Sequence, residues 1–508
     1  MDILKIDCLS LGILTAISRS FRLIEEFTGE RIGISDIPFD DPKTYSMIQQ
    51  ADTIGVFQIE SRAQMTMLPR LKPKNYYDLI IQIAIIRPGP IQGEMVHPYL
   101  RRRNGEEISN YPDERVERVL GRTLGVPLFQ EQIIRLAMVV AGFSPGEADQ
   151  LRRSMTNWGE SDHISKFSNR LLMGMRERGY SVEYSQNTLN QIKGFGGYGF
   201  PEAHAASFAL LAYISAWLKC HKPEAYTAAL LNSQPMGFYS PSQLVQDAKK
   251  HGVKVLSPDI QKSNWDCILE KYGDRKCALR LGFGLIKGLS IQTGLRIENS
   301  RSTISFRDMN DLVSRAKLNA KELRALSNAN AFKSLVGNRH QANWKVLGFK
   351  VPLPLIPTVF DQEALPLLPN PKEGAETLAD FASLGLTLGR HPMMLLRKYL
   401  TGQERVSTLS DVIPNTPTQV SGLVVVRQKP SSAKGVVFLT LEDETGSINV
   451  IVWPSLVETY HNQVMHSKLL SVSGKIQREG EVIHLIAEVL EDRSVLLGEL
   501  NTSSRDFC

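Results

Sequence analysis

A chain of 508 residues with 42% hydrophobic content is long enough for roughly three or four ordinary domains, and no apolar run reaches the roughly 18 residues a membrane span needs. The net charge of +6 is mild over that length, but Arg101-Arg102-Arg103 and Arg152-Arg153 concentrate it, which favours polyanionic partners. Five scattered cysteines with no Cys-x-x-Cys pair argue against a disulfide framework and a cysteine zinc site, and acidic residues where a signal peptide would be basic point to the cytoplasm.

Residues 1 to 17 read as a short strand ending near Asp7 and running into a helix, with Asp7 a cap or solvated carboxylate by default. The helix from about Leu11 to Phe27 stops near Gly29, and Asp40-Asp41-Pro42 starts another. Gly55 to Arg62 is a turn into a polar helix start. The apolar run Leu79 to Ile86 then ends in Arg87-Pro88-Gly89-Pro90, a rigid non-helical corner. Arg87 is therefore either an anion ligand on a stiff mount or the cation that closes a helix. Gln130 to Ala141 reads as a helix ended by Gly142, and Ser144-Pro145-Gly146-Glu147 is a capping box. The helix it opens presents Asp149, Arg152 and Arg153. Adjacent arginines sit about 100° apart, so both can face one groove with planar donors suited to phosphate; solvation is the plainer reading of the pair alone.

Residues 160 to 192 are amphipathic and lead into Gly194 to Lys219, where four glycines fall within six residues before Pro201. Glycines there permit close approach by a ligand or another chain. The following helix, Ala203 to Leu218, is apolar almost all round and so central to its domain. Within it, His204 is by chemistry alone a satisfied core histidine. Pro223 starts a helix to Leu231, while Ser240 to about Ala278 has a mixed pattern that yields no order. Leu281 to Ser290, carrying Lys287 and Gly288, resembles the hairpin of a helix-hairpin-helix motif, which aims backbone N–H groups at phosphate. Phe306 to Phe332 reads as helix, turn at Lys317-Leu318-Asn319, and helix. Six prolines from Pro352 to Pro371 mark an extended linker, and a helix is expected near Leu384 to Leu400. Five strand-like runs follow: Gln419 to Arg427, Val436 to Glu442, Ser447 to Trp453, Leu469 to Gln477 and Glu481 to Val489. With a helical segment from Pro454 to Gln463 after the third, they predict an OB-fold barrel. Lys429, Lys434, Phe438 and Trp453 are candidates for single-strand binding, the two aromatics equally being core.

Taken together these residues resemble the C-family bacterial replicative polymerases, the group of the DNA polymerase III alpha subunit. Lys5-Ile6-Asp7 with Leu9 and Leu11-Gly12 is similar to the family's Lys-x-Asp-x-Leu-x-Leu segment. Phe57-Gln58-Ile59-Glu60-Ser61, Arg87-Pro88-Gly89-Pro90, Phe129-Gln130-Glu131-Gln132, Leu151-Arg152-Arg153-Ser154-Met155 and Gly197-Tyr198-Gly199-Phe200 with His204 resemble successive fingers motifs in order. Gln234 to Tyr239 is similar to the error-prone, damage-induced branch.

The resemblance implies a multidomain, mainly α chain: a palm remnant over 1–20, fingers over 21–275, a helix-hairpin-helix region over 276–348, linker and helix over 349–415, an OB-fold barrel over 416–492 and a tail over 493–508. It further implies Asp7 as a Mg²⁺ ligand and catalytic residue with Lys5 beside it, and Arg87, Arg152, Arg153 and His204 at a deoxynucleoside triphosphate. Lys287, Gly288 and Lys429 would lie on DNA. The implied partners are primer–template DNA, the triphosphate, and accessory translesion proteins or a separately encoded N-terminal half. In the family two further palm aspartates lie upstream, spaced Asp-x-Asp, and this chain has no Asp-x-Asp. Asp7 alone cannot hold two metal ions about 4 Å apart. The expectation is thus a C-terminal portion of an error-prone polymerase, inactive by itself, with a catalytically inert DNA-binding module as the alternative.

Overall fold

The computed structural model describes residues 10–87, 90, 95–155, 161–194, 201–273, 276–302, 304–348, 368–430, 433, 435–479, 482–498, 500 and 504–507. Helix α1 (Leu11–Thr28) buries Ile13, Ala16, Ile17, Leu23 and Ile24 along one stripe, and Gly29 ends it at φ +75°. Asp7 and Lys5 lie outside the described residues.

Residues Gly33–His221 form one compact unit. Asp41 opens α2 (Pro42–Gln49) by accepting from the Thr44 amide, with Pro42 at the first position, whose lost N–H has no helical partner anyway. Then come α3 (Arg62–Leu71), α4 (Tyr76–Ile85), α5 (Val96–Arg103), α6 (Glu114–Leu120), α7 (Gln130–Ala141), α8 (Pro145–Met155), α9 (Ser161–Glu177), α10 (Val182–Gly194) and α11 (Glu202–His221). The Ser144–Glu147 box forms reciprocally, the Ser144 amide donating to Glu147 at 2.7 Å and the Glu147 amide to Ser144 Oγ at 3.3 Å. Gly142 closes α7 in the left-handed conformation, as its position after a periodic apolar run predicts.

The organising element of this unit is α11, which packs along α4. Ala205, Phe208, Ala209, Ala212, Tyr213, Ile214 and Leu218 are buried, so nearly every face of the helix is in the core. Its polar groups are satisfied individually, as burial demands. Tyr213 Oη donates to Pro38 O at 2.7 Å and accepts from the Asp41 amide, while the buried Lys219 ammonium bonds Ile54 O at 3.1 Å and Asp52 at 2.9 Å. The glycine loop at 195–200 lies outside the described residues. In α9, Gly174 faces α7 so closely that a Cβ would stand 2.2 Å from Ala141 O.

In the unit made by the chain's first 32 residues and Lys222–Cys508, α12 (Pro223–Asn232) packs against α1 and Arg19 donates to Asn232 O. After α13 (Pro241–Lys250), the stretch whose order sequence left open is a small sheet of β1 (Lys254–Leu256), β2 (Ile268–Tyr272) and β3 (Lys276–Arg280), in order β1-β3-β2. The hairpin follows, with Gly288 at φ +82° and Ser290 capping α14 (Ile291–Arg301). Next come α15 (Met309–Ala316) and α16 (Ala320–Asn328), joined by the Lys317-Leu318-Asn319 turn in which Asn319 caps α16, and then α17 (Arg339–Gly348). Residues 349–367 of the expected linker lie outside the described residues. The chain on either side is tied together: Asn338 Nδ2 donates to Asn370 at 3.0 Å, and buried Arg339 binds Glu376 and Asp380 of α18 (Glu373–Leu384). The single helix expected near Leu384 to Leu400 is not formed. Gly385 closes α18 in the left-handed conformation and Pro392 starts a separate short helix, α19 (Pro392–Leu396).

The predicted barrel is present and closed. Strands β4 (Pro417–Gln428), β5 (Val437–Glu442), β6 (Ser447–Val452), β7 (Leu469–Glu479) and β8 (Val482–Asp492) run in the order β5-β6-β8-β7-β4, and β4 pairs with β5 to complete the circle. Short helices α20 (Pro454–Thr459) and α21 (His461–His466) lie between β6 and β7. Alternation places Val420, Leu439, Leu441, Val450, Val452, Val472, Ile476 and Leu485 inside. One strand was not legible: β9 (Arg505–Phe507), in the expected tail, pairs parallel with β4, while the buried Arg427 of β4 bonds Ser504, Val464 O and Ser467 O. No helix among the described residues is long and apolar enough to cross a membrane.

Candidate nucleotide and nucleic-acid interface

The fingers-like motifs are wired to one another around the start of α11. In Phe129-Gln130-Glu131-Gln132, the Gln132 carbonyl accepts from the Leu128 and Phe129 amides at 2.8 and 3.2 Å while its amide donates to Val119 O and Thr123 Oγ1, fixing the start of α7 against the end of α6. Glu131 reaches across 71 positions to accept from the Glu202 amide at 3.0 Å. A carboxylate on that amide satisfies an orphan donor at the positive end of α11. Glu202 in turn accepts from Tyr77 Oη, and Arg122 lies over the Tyr77 ring at 3.9 Å while reaching Glu202. Burial first, and the Glu202 carboxylate second, push the Tyr77 phenol up to about 12.

His204 is half-buried in the first turns of α11, its ring 4.2 Å from that of Phe208, which meets Phe57 edge-on at 5.2 Å. The Phe57 amide donates to Ser215, so the Phe57 to Ser61 motif also leans on α11. Arg87 lies just beyond the C-terminal end of α4, its Nε donating to Ile83 O at 3.4 Å. This is the opposite end of α4 from Tyr76 and Tyr77, which bond Ala206 O and Glu202. Arg152 and Arg153 are together, as the spacing predicts, but a common carboxylate holds them: Asp149 meets Arg152 at 2.9 Å and Arg153 at 2.8 Å. Its acid group is held below the usual carboxylate range, chiefly by the Arg152 hydrogen bond. The Arg101-Arg102-Arg103 run is paired internally as well. Arg101 and Arg102 share Glu107, and Arg103 forks onto buried Asp78 at 2.8 and 2.7 Å.

A polar cavity of about 350 Å³ lies where the turn between α9 and α10 meets the start of α6, lined by Asn110, Asp113, Arg178, Tyr180 and Tyr184. Burial raises Asp113, but bonds from Tyr180, the Val116 amide and Arg115 outweigh it and hold the acid at about 2. Burial and that carboxylate push Tyr180 up to about 12.

In the hairpin, the Nζ of exposed Lys287 donates to Phe381 O at 3.0 Å and its amide to Ser383 O at 2.9 Å, docking the hairpin on the end of α18. Gly288 is exposed, and a Cβ at this position would meet nothing within 4 Å. On the barrel, Lys429 is exposed just past β4, Trp453 is 51% exposed and Phe438 is half-buried, while Lys434 lies outside the described residues.

Within Gly33–His221, the carboxylates beside the candidate residues are already engaged and are not arranged as the Mg²⁺ site nucleotidyl transfer needs. Mg²⁺ takes oxygen ligands in near-octahedral array, whereas Asp149 is bound by two arginines and Glu131 by a helix amide. The one compact His/Cys/carboxylate group described within this unit, Asp41, Cys220 and His221, offers sulfur and nitrogen, and Asp41 Oδ2 there already takes the Thr44 amide, Thr44 Oγ1 and His221 Nε2.

Three family models match the chain in order: the bacterial DNA polymerase III alpha subunit finger domain over residues 13–179, a helix-hairpin-helix motif over 252–342, and an OB-fold nucleic acid binding domain over 418–493. Over its whole length the chain is similar to half of an error-prone DNA polymerase. It is 51% identical to the error-prone DNA polymerase of Alkalilimnicola ehrlichii, and 50% identical to those of Methylococcus capsulatus and Pseudomonas aeruginosa. In each case all of this chain aligns with 50% of the relative, so the chain spans about half the length of the curated relatives it matches.

Proposed function

We propose that this chain supplies the triphosphate- and DNA-binding portion of an error-prone DNA polymerase, which extends a primer 3′ end during repair synthesis. The observation that carries the reading is the order of three modules, fingers, helix-hairpin-helix and OB barrel, within a chain that is about half identical, along its own length, to half of such a polymerase. In this reading Arg152 and Arg153 exchange Asp149 for the triphosphate, since a polyphosphate offers the two guanidinium groups more charge and more acceptors than one carboxylate. Arg87 and His204 also bind the nucleotide, Lys287 and Gly288 meet the DNA backbone at the hairpin, and Lys429 meets the strand on the barrel. Mg²⁺ and the catalytic carboxylates, Asp7 with Lys5 beside it among them, belong to the complete enzyme, and accessory translesion proteins or a separate N-terminal half would complete the assembly in the cytoplasm.

The second reading is a binding module without chemistry, since Asp149 and Glu131, the carboxylates beside the fingers motifs, are taken by two arginines and a helix amide. Primer extension with Mg²⁺ separates the two. We expect the chain to bind primer–template DNA and a deoxynucleoside triphosphate without extending the primer alone, and to extend it when mixed with the matching portion of a relative. Failure of Arg152→Ala/Arg153→Ala to weaken triphosphate binding would remove the arginine pair from the site.

A further inference from the structure

The small sheet that precedes the hairpin has a basic face. Register places Lys254 of β1 beside Ala278 of β3, and Ala278 beside Glu270 of β2. Side chains alternate along a strand, so Tyr272 and Arg280 join Lys254 and Glu270 on that face. The Lys254 ammonium lies over the exposed Tyr272 ring, 5.7 Å from its centre. Glu270 is bound at 2.8 Å by both Lys262 and Arg280. Lys249 and Lys250 end α13, which packs on β1. Lys249 donates to Leu388 O at 3.2 Å, and burial followed by repulsion from Lys254 lowers its pKa. The Lys250 ammonium points towards the barrel turn at Gly446, where Asp443 and Glu444 already hold Arg397 and Arg405.

Five cations thus gather, three of them exposed, where Glu270 is doubly bound and Asp380, the carboxylate acting on Lys249, is taken by Arg339 and Thr387. Lys250, Lys254 and Lys262 are exposed, and of the three Lys262 shares Glu270 with Arg280. A surplus of exposed positive charge beside an exposed aromatic ring is the chemistry that receives a single-stranded nucleic acid, phosphates on the cations and a base or sugar on the ring.

We propose that Lys250, Lys254 and Lys262, with Tyr272 beside Lys254, form a contact for single-stranded nucleic acid that leads from the sheet towards the barrel. The site rests on the DNA-binding reading above and uses neither the arginine pair nor Lys287 of the hairpin. The test is fluorescence anisotropy of the full chain with a labelled single-stranded oligonucleotide and, separately, a duplex, over a salt series. For Lys250→Gln/Lys254→Gln/Lys262→Gln, single-strand affinity should fall on the order of tenfold and the log K against log salt slope should flatten by about 2, at about 0.7 for each of three phosphates. The Lys→Arg triple variant should keep both, which separates charge loss from misfolding. Tyr272→Ala should weaken binding with the slope unchanged. Unchanged affinity and slope in the Gln variant, beside clear binding by the parent chain, would overturn the site while leaving the DNA reading intact. A change confined to the duplex would overturn the single-strand assignment. A parent chain that binds neither oligonucleotide would refute the DNA reading itself, and this contact with it.

Discussion

Asp78→Ala should loosen the helix that carries Arg87. Asp78 sits in the first turn of α4, where one oxygen accepts from the Lys74 amide and both accept from the Arg103 fork. Arg103 also donates Nε to Leu71 O at 2.7 Å, so one guanidinium group joins α3, α4 and α5. Removing the carboxylate strands a partly buried cation, which costs about 3–5 kcal/mol in a buried pair. The Arg103 side chain is 19% exposed against 8% for Asp78, so water recovers part of that and the lower end applies, about 3 kcal/mol. Native-state hydrogen exchange reads it directly: α4 amides that open only with the unit should exchange about a hundredfold faster, with the barrel strands unchanged. Asp78→Leu/Arg103→Met, which removes both charges and keeps bulk, should regain most of the protection. A loss under about 1 kcal/mol for Asp78→Ala, or a double variant as exposed as the sum of its singles, would refute the assignment of this pair as the clamp.

Gly174→Ala forces a methyl group to within 2.2 Å of Ala141 O, and the overpacking should cost about 1–3 kcal/mol in a melt of the full chain; an unchanged melting temperature would mean that α9 and α7 are not in this contact. Glu131→Ala removes the cap of α11 and should raise exchange at the first α11 amides by an amount equivalent to about 1 kcal/mol, an effect Glu131→Gln should largely avoid. The Asp113 acid, depressed to about 2 in the fold, stabilises the α6 start fully above the ordinary aspartate value near 4, and that contribution is lost as pH falls from about 4 to about 2. The difference in protection of the Val116 amide between the parent chain and Asp113→Asn should therefore shrink across that window, and a constant difference would contradict the depressed acid.

Local punctuation carried most of the helical architecture. Asp41-Pro42, Gly142, the Ser144–Glu147 box and Asn319 each act on neighbours within four residues, so their effects can be read from the chain alone. The barrel was equally legible because its strands are long and alternate cleanly. The sheet of β1 to β3 was not, since a three-residue strand offers no period and its pairing is decided by register with distant residues. Charges were the least legible feature. Arg101, Arg102 and Arg103 read as a basic run, yet each is answered by Glu107 or Asp78 in the fold. Lys287 also donates to the Phe381 carbonyl, a partner 94 positions away that the chain alone does not announce. The Glu131 cap spans 71 positions, and only a recognised motif order hinted that these segments belong together. The basic sheet face went unnoticed for the same reason, its lysines being scattered over 13 positions from Lys250 to Lys262.

The proline-rich stretch takes on a different meaning once both of its flanks are placed. Asn338 and Arg339 before it hold Asn370, Glu376 and Asp380 after it, so the chain leaves one module and returns to that same module. Such a segment does not set how far the barrel can swing from the hairpin region. What joins the barrel to the hairpin region is instead the Arg339 guanidinium held by Glu376 and Asp380, a polar fastening that salt and substitution can loosen without touching either module's core.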